Sequence, residues 1–234
     1  MTDELDLETY LSISPKKYEI YLFDKKNLIN LYKQSVEIKD TNSVIDFNFL
    51  SKFIEKNIFK IEKLNGNFIE NITLIIETND MIELNLGIKK KSYKKNIDKK
   101  FLENILIEAK DLFNENHQNN KIIHMLIKNY FVNNNYLSKF QENIVSDHFC
   151  LEIQFKYISN LYLSEIDKLL GEYQINIVDY LDGNYIKSFY DNDNLEFPEK
   201  IYRIQTGINS NEVKLIPKNV RKFGFFEKFF QLFS

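Results

Sequence analysis

Three stretches of helical apolar spacing divide this chain, and β-rich runs separate them; that alternation restricts the fold more than any other feature of the sequence. YEIYLFD (18–24) and NLINLYKQSVEI (27–38) are rich in β-branched and aromatic residues, and Asp24-Lys25-Lys26 between them suits a hairpin turn. DFNFLSKFIEKNIFKIEKL (46–64) then spaces Phe49, Leu50, Phe53, Ile54, Ile58 and Ile61 as one helix face, and Asn65-Gly66-Asn67 stops it. NITLIIETN (71–79) reads as a strand, with MIELNLGIKKK (81–91) as its hairpin mate through Asn79-Asp80. Asp98 opens a second helix to Asn116, whose apolar stripe is Phe101, Leu102, Ile105, Leu106, Ala109, Leu112 and Phe113. KIIHMLIKNYFVNN (121–134) and HFCLEIQFKYIS (148–159) follow as strands. Ser164 is expected to cap a third helix through Tyr173, and INIVDYL (175–181) is a short strand.

The order β-β-α-β-β-α-β-β-α-β predicts an α+β or mixed α/β body. Residues 1–16 are polar and read as a loose N-terminus, and 17–182 as the body. Residues 183–220 hold Pro198 and Pro217 and read as a linker with one short strand at IYRIQTGI (201–208), before a separate helix over 221–234.

Composition is that of a globular protein, with 44% hydrophobic and 28% charged residues among 234, enough for a sizeable core. A net charge of −3 carries no nucleic-acid signature, so no nucleic-acid partner is expected. The single cysteine, Cys150, forms no internal disulfide and builds no zinc site alone; it reads as a buried structural thiol in a cytosolic protein. The acidic start MTDELDLETY lacks an apolar signal region, and no run of eighteen apolar residues is present to span a bilayer.

Catalytic patterns do not appear. His117, His124 and His148 have no partner at metal-ligand spacing, and His124, inside an apolar strand, reads as a satisfied core histidine. Phosphate-binding and nucleophile-elbow motifs are missing, and the six glycines do not cluster. Asp46, Glu152 and Asp179 are scattered along the chain. The expectation is a non-enzyme without catalytic residues, metal or cofactor.

With this order in place, the chain resembles the N-terminal lobe of FtsA, the actin-like bacterial cell-division family, mainly over residues 43–181. SVIDFNFLSKFIEKNIFKIEKLNGNFIENITLII resembles the family's first helix and the strand entering its inserted subdomain. IDKKFLENILIEAKDLF resembles that subdomain's helix. IIHMLIKNYFVNNN resembles its strand of pattern hhHhhPxxYxVDG, with His124, Tyr130 and Val132 in place. FCLEIQFKYISNLYLSEIDKLLGEYQINIVDYL resembles the strand and helix that follow.

The resemblance implies a degenerate actin-like (RNase H-like) lobe: first-lobe elements over 17–70, an inserted strand-helix-strand-strand (SHS2) module over 71–160, and a return segment over 161–182. Asp24 stands where the family's first strand ends in an acidic residue, but Lys25-Lys26 replace the Gly-Thr/Ser turn that follows it in the family. Leu126 and Ile127 stand near the family's proline, and Asn133-Asn134 replace its Asp-Gly turn. Nothing after Leu181 resembles the second lobe, so the family's ATP site and its FtsZ-tail contact are not carried over. The implied role is an adaptor that recruits or modulates division proteins, or works beside a full-length FtsA-like protein, on the cytoplasmic membrane face at midcell. The alternatives are a cytoplasmic subunit of a pilus or envelope machine, like the fold cousin PilM, and a soluble domain whose C-terminal helix closes its own core.

RKFGFFEKFFQLFS (221–234), wound at about 100° per residue, places Phe223, Phe225, Phe226, Phe229, Phe230, Leu232 and Phe233 on one half of the cylinder. Gly224, Glu227, Lys228, Gln231 and Ser234 fall on the other. This pattern and the basic residues Arg221, Lys222 and Lys228 suit an anionic inner-membrane surface, and the family also ends in a membrane-targeting helix. Each Phe fully withdrawn from water contributes about 1.5–3 kcal/mol, and each nearby cation about 1 kcal/mol. The double change Phe226→Glu with Phe230→Glu is therefore expected to release the protein from anionic vesicles in co-sedimentation; unchanged pelleting refutes the membrane assignment.

Overall fold

The computed structural model of the chain describes residues 5–38, 45–133, 135–142, 144–191 and 193–214, with the backbone alone at Lys94 and Lys95. In chain order the elements are β1 (Leu7–Ile13), β2 (Lys17–Asp24), β3 (Ile29–Glu37), α1 (Phe47–Asn65), β4 (Asn71–Ile76), β5 (Ile82–Ile97) and α2 (Lys99–Asn116). They continue as β6 (Asn120–Val132), β7 (Asn135–Leu137), β8 (Ile144–Ser159), α3 (Asn160–Gly171), β9 (Asn176–Asp182), α4 (Gly183–Phe189) and α5 (Phe197–Gln205). They form two compact units: one from the described residues of Met1–Met81 and Asn160–Thr206, the other from those of Ile82–Ser159 and Gly207–Ser234.

The first unit is built on a five-stranded sheet of order β3-β2-β1-β4-β9. β1 lies at its centre, antiparallel to β2 from Leu7↔Asp24 to Ile13↔Tyr18, and parallel to β4 from Tyr10↔Thr73 to Ile13↔Ile76. β3 extends the antiparallel side, and β9 the parallel side. Tyr10, Leu11 and Ile13 are fully buried.

Successive residues of a strand face opposite sides, and β2 shows what each side holds. Tyr18 meets Phe49 and Phe53 of α1 at ring distances of 6.0 and 6.2 Å. Tyr21 and Phe23, on the other face, meet Phe197 at 6.5 Å and Tyr202 at 6.0 Å, beside α5. Asp46 caps α1 by accepting from the Phe49 N–H at 2.9 Å, and Gly66 ends it at φ 75°, its N–H donating to Glu62 O at 2.8 Å. α5 begins with Pro198 in its first turn, buries Ile201 and Ile204, and is pinned by Gln205, whose amide donates to Glu8 Oε1 at 3.0 Å and Thr73 Oγ1 at 3.1 Å. Gly183, at the start of α4, has no room for a side chain: a Cβ there meets Glu77 Cγ at 2.4 Å.

The second unit follows from α2 and the long strands. Its antiparallel sheet has the order β5-β8-β6-β7. Alternate residues of the inner strand β8, namely Phe149, Leu151, Ile153 and Phe155, join Leu102, Ile105, Leu106, Ala109 and Phe113 of α2 in one core. Phe113 stacks on Phe155 at 4.9 Å, and Phe101 meets Phe149 edge-on at 5.8 Å. Residues 211–213 add to the free edge of β6: Ile127 N–H donates to Asn211 O and Val213 N–H to Met125 O, both at 2.8 Å, while Val213 enters the core.

The β2–β3 hairpin, α1, α2, β6, β8 and β9 lie where sequence spacing puts them, within a few residues at their ends. Four expectations are corrected. Residues 7–13 are not loose but form the central strand; Glu8, Thr9 and Ser12 dilute an apolar run that is buried in the sheet. Residues 71–76 do not pair with 82–91: β4 joins β1 and β9, so the second unit starts at Ile82 rather than at 71. Its five consecutive buried residues are those of a strand covered on both faces. Residues 183–189 and 197–205 are helices where a linker and a strand were expected, Pro198 opening the second of them. Ser164 lies inside α3, its hydroxyl donating to Leu161 O at 2.8 Å.

Leu11→Ala is expected to cost about 2–5 kcal/mol in urea unfolding. A loose N-terminus would leave the midpoint unchanged.

Candidate functional site

Every residue assigned to membrane contact by sequence, from Arg221 to Phe233, lies outside the described residues. Of the other residues singled out by sequence, Asp46, Glu152, Asp179, His117 and His124 serve structural ends. Asp46 is a helix cap. Glu152 accepts from the Asn129 amide, and Asp179 lies 3.5 Å from the Gln205 amide that pins α5. His117 stacks on Phe113 at 4.8 Å. His124 is buried, and its Nδ1 lies 2.6 Å from Glu212 Oε1, so the added 211–213 segment supplies its partner.

Asp24 ends the second strand of the sheet rather than the first, which runs into Ser14-Pro15-Lys16 instead. It locks the β2–β3 turn, accepting from the Asn27 side chain at 2.6 Å and the Lys26 N–H at 2.9 Å. The Asn27 amide, helped by backbone N–H groups, holds the Asp24 carboxyl below its usual range. Among the described residues no group of three or more His, Cys, Asp or Glu is placed to hold a metal ion. No helix among them is long and apolar enough to cross a membrane.

The candidate site is a corner of the second unit that sequence reasoning did not find. β5 breaks register with β8 between Lys91 and Lys95. Within that bulge Tyr93 takes φ 50°, a left-handed backbone rare for a bulky residue, and holds its ring 75% exposed. Ser92 points inward and donates to Ser146 O. Asn133, at φ 49° after β6, gathers β8 through its side-chain oxygen, which accepts from Ser146 Oγ at 2.9 Å and Asp147 N–H at 3.0 Å. Two left-handed residues thus flank β8; the conformation is ordinary for Asn133 but strained for Tyr93, and strain of that kind collects at sites of function.

A recess of about 450 Å³ lies here, lined by Lys91, Tyr93, Asn133, Asp147 and His148. A second of about 400 Å³ is lined by Lys89, Phe131, His148, Phe149 and Cys150. His148 lines both, and its buried Nδ1 has no hydrogen-bond partner among the described residues. Burial pushes the Cys150 thiol up, Glu152 adds to the rise and Lys89 opposes it. That is the setting of an inert thiol, not an activated nucleophile. What the corner offers is an exposed aromatic ring, two ammonium groups and a ring nitrogen without a partner, which are means of holding another molecule.

No protein-family model matches the chain, and no curated protein matches it. Solved structures do match. A chain of the PilM–PilN type IV pilus biogenesis complex aligns with TM-score 0.50 at 7% identity, over 78% of this chain and 49% of that one. The cytoplasmic domain of EpsL, an inner-membrane component of the type II secretion system of Vibrio cholerae, aligns with TM-score 0.39 at 13% identity, over 77% and 58% of the two chains. A Bacteroides thetaiotaomicron protein of actin-like ATPase fold and unknown function gives TM-score 0.33 and 12% identity, over 83% and 61%. The chain spans about half to three fifths of the length of these structures. The fold is α+β, shared with the chain of the PilM–PilN complex, and the second unit is inserted between β4 and α3.

The thiol gives a direct check. Cys150 is expected to react with iodoacetamide more slowly than a free cysteine at pH 8, and to gain rate as pH rises further, since its raised pKa reduces the thiolate present. Reaction at the free-cysteine rate contradicts the assignment.

Proposed function

We propose that the chain is a non-enzymatic cytoplasmic subunit of an envelope-spanning assembly machine, which holds a protein partner through its second unit. The observation that carries this is the likeness of fold to a chain of the PilM–PilN complex. On this reading the second unit is an SHS2 module, supported by its order of strand β5, helix α2 and strands β6 and β8. The corner around Tyr93, His148 and Phe131 is its partner-facing surface, and residues 221–234 attach the subunit peripherally to anionic inner-membrane lipid. The reading requires no nucleotide, metal or other cofactor.

The division-adaptor reading stands second. It rests on the sequence pattern shared with FtsA, and would have the same module recruit division proteins at midcell. Partner identity separates the two. Affinity purification of the full chain is expected to bring down an inner-membrane protein of a pilus or secretion machine, and Phe131→Glu is expected to weaken that capture about tenfold, the scale of one interface anchor. Division proteins captured in its place, with a midcell band of a fluorescent fusion, overturn the machine reading.

A further inference from the structure

β5 is the outer strand of the second unit's sheet. It pairs with β8 along one side, without a break from Ile82↔Tyr157 to Lys91↔His148. Among the described residues nothing hydrogen-bonds its other side. Such an edge presents a row of N–H and C=O groups to any extended chain, and proteins protect edges against that.

Here the protection is charge: Lys89, Lys90 and Lys91 follow one another, with Lys94 and Lys95 just beyond. Lys90 is engaged by Glu108, 2.6 Å away on α2. Lys89 and Lys91 alternate onto the opposite face, where both are exposed and neither has a hydrogen-bond or ion-pair partner among the described residues. A lysine-bearing edge repels a second copy of itself. An acidic strand is attracted by the same charges.

Side-chain alternation sets the rest of the pattern. Leu84 and Leu86, half-buried on the α2 side, offer apolar surface next to one set of positions of an added strand. Lys89 and Lys91 lie beside the other set. We propose that β5 takes up an extended partner segment in which acidic and apolar residues alternate, added as a further strand of the sheet. This deepens the proposed function, taking from it only that the second unit meets a protein partner.

The probe is an end-blocked peptide of alternating Glu and Val, titrated into the full chain by fluorescence anisotropy. Three controls accompany it: the same peptide N-methylated at alternate residues, a Lys-Val peptide, and the chain carrying Lys89→Glu with Lys91→Glu. The Glu-Val peptide is expected to bind, with added salt weakening it, and the charge-reversed chain is expected to bind about tenfold less tightly. The N-methylated peptide, which cannot complete the edge hydrogen bonds, and the Lys-Val peptide are expected to fail. Binding of the N-methylated peptide at full strength overturns strand addition. So does a wild-type dimer in sedimentation that the charge reversal dissolves, because the occupant is then a second copy. A chain that captures an assembly-machine protein yet ignores the Glu-Val peptide loses this inference and keeps the proposed function.

Discussion

The pairing of β1 on both sides is the constraint from which the first unit grows. β1 is antiparallel to β2 and parallel to β4, so it joins a local hairpin meander to a distant strand. Without it, β2–β3 would be an isolated hairpin, marginal in water. The network that pins α5 depends on it as well, because Gln205 reaches Glu8 of β1 and Thr73 of β4 together. The second unit leaves the chain where β4 ends, so its point of insertion is also set by that parallel pair.

Local periodicity carried most of the fold. Helix faces such as Leu50, Phe53, Ile54 and Ile61 announce themselves at 3.6-residue spacing, and the αL position of Gly66 is written in Asn65-Gly66-Asn67. What failed were strands whose partners lie far away in sequence. β4 has a hydrophobic run next to another, and adjacency suggested a hairpin; its true neighbours are β1 and β9. β1 did show alternation at Leu5, Leu7, Leu11 and Ile13, but its polar residues and its place at the terminus concealed it. IYRIQTGI misled because Ile and Tyr suit a strand, while Pro198 just upstream is the signal for a helix start.

The candidate site was less legible. Tyr93 matters through left-handed backbone in a bulge, which single-residue propensities do not encode. The lysines of β5 were visible in the sequence, but only their alternation along the outer strand of the sheet gives them meaning. His124 was read correctly as a core residue; the partner that satisfies it, Glu212, lies 88 positions away. The terminal segment kept its sequence-level assignment only.

The addition of residues 211–213 to β6 bears on how load would pass through the chain. Any pull on the segment beyond Lys214 reaches Val213 and Glu212 first, and is borne there by two backbone hydrogen bonds, a buried valine and the contact with His124. Tension applied from that end is therefore received by the sheet of the second unit before α5 feels it. Residues 211–213 and the sheet of the second unit are, in mechanical terms, a single fitting.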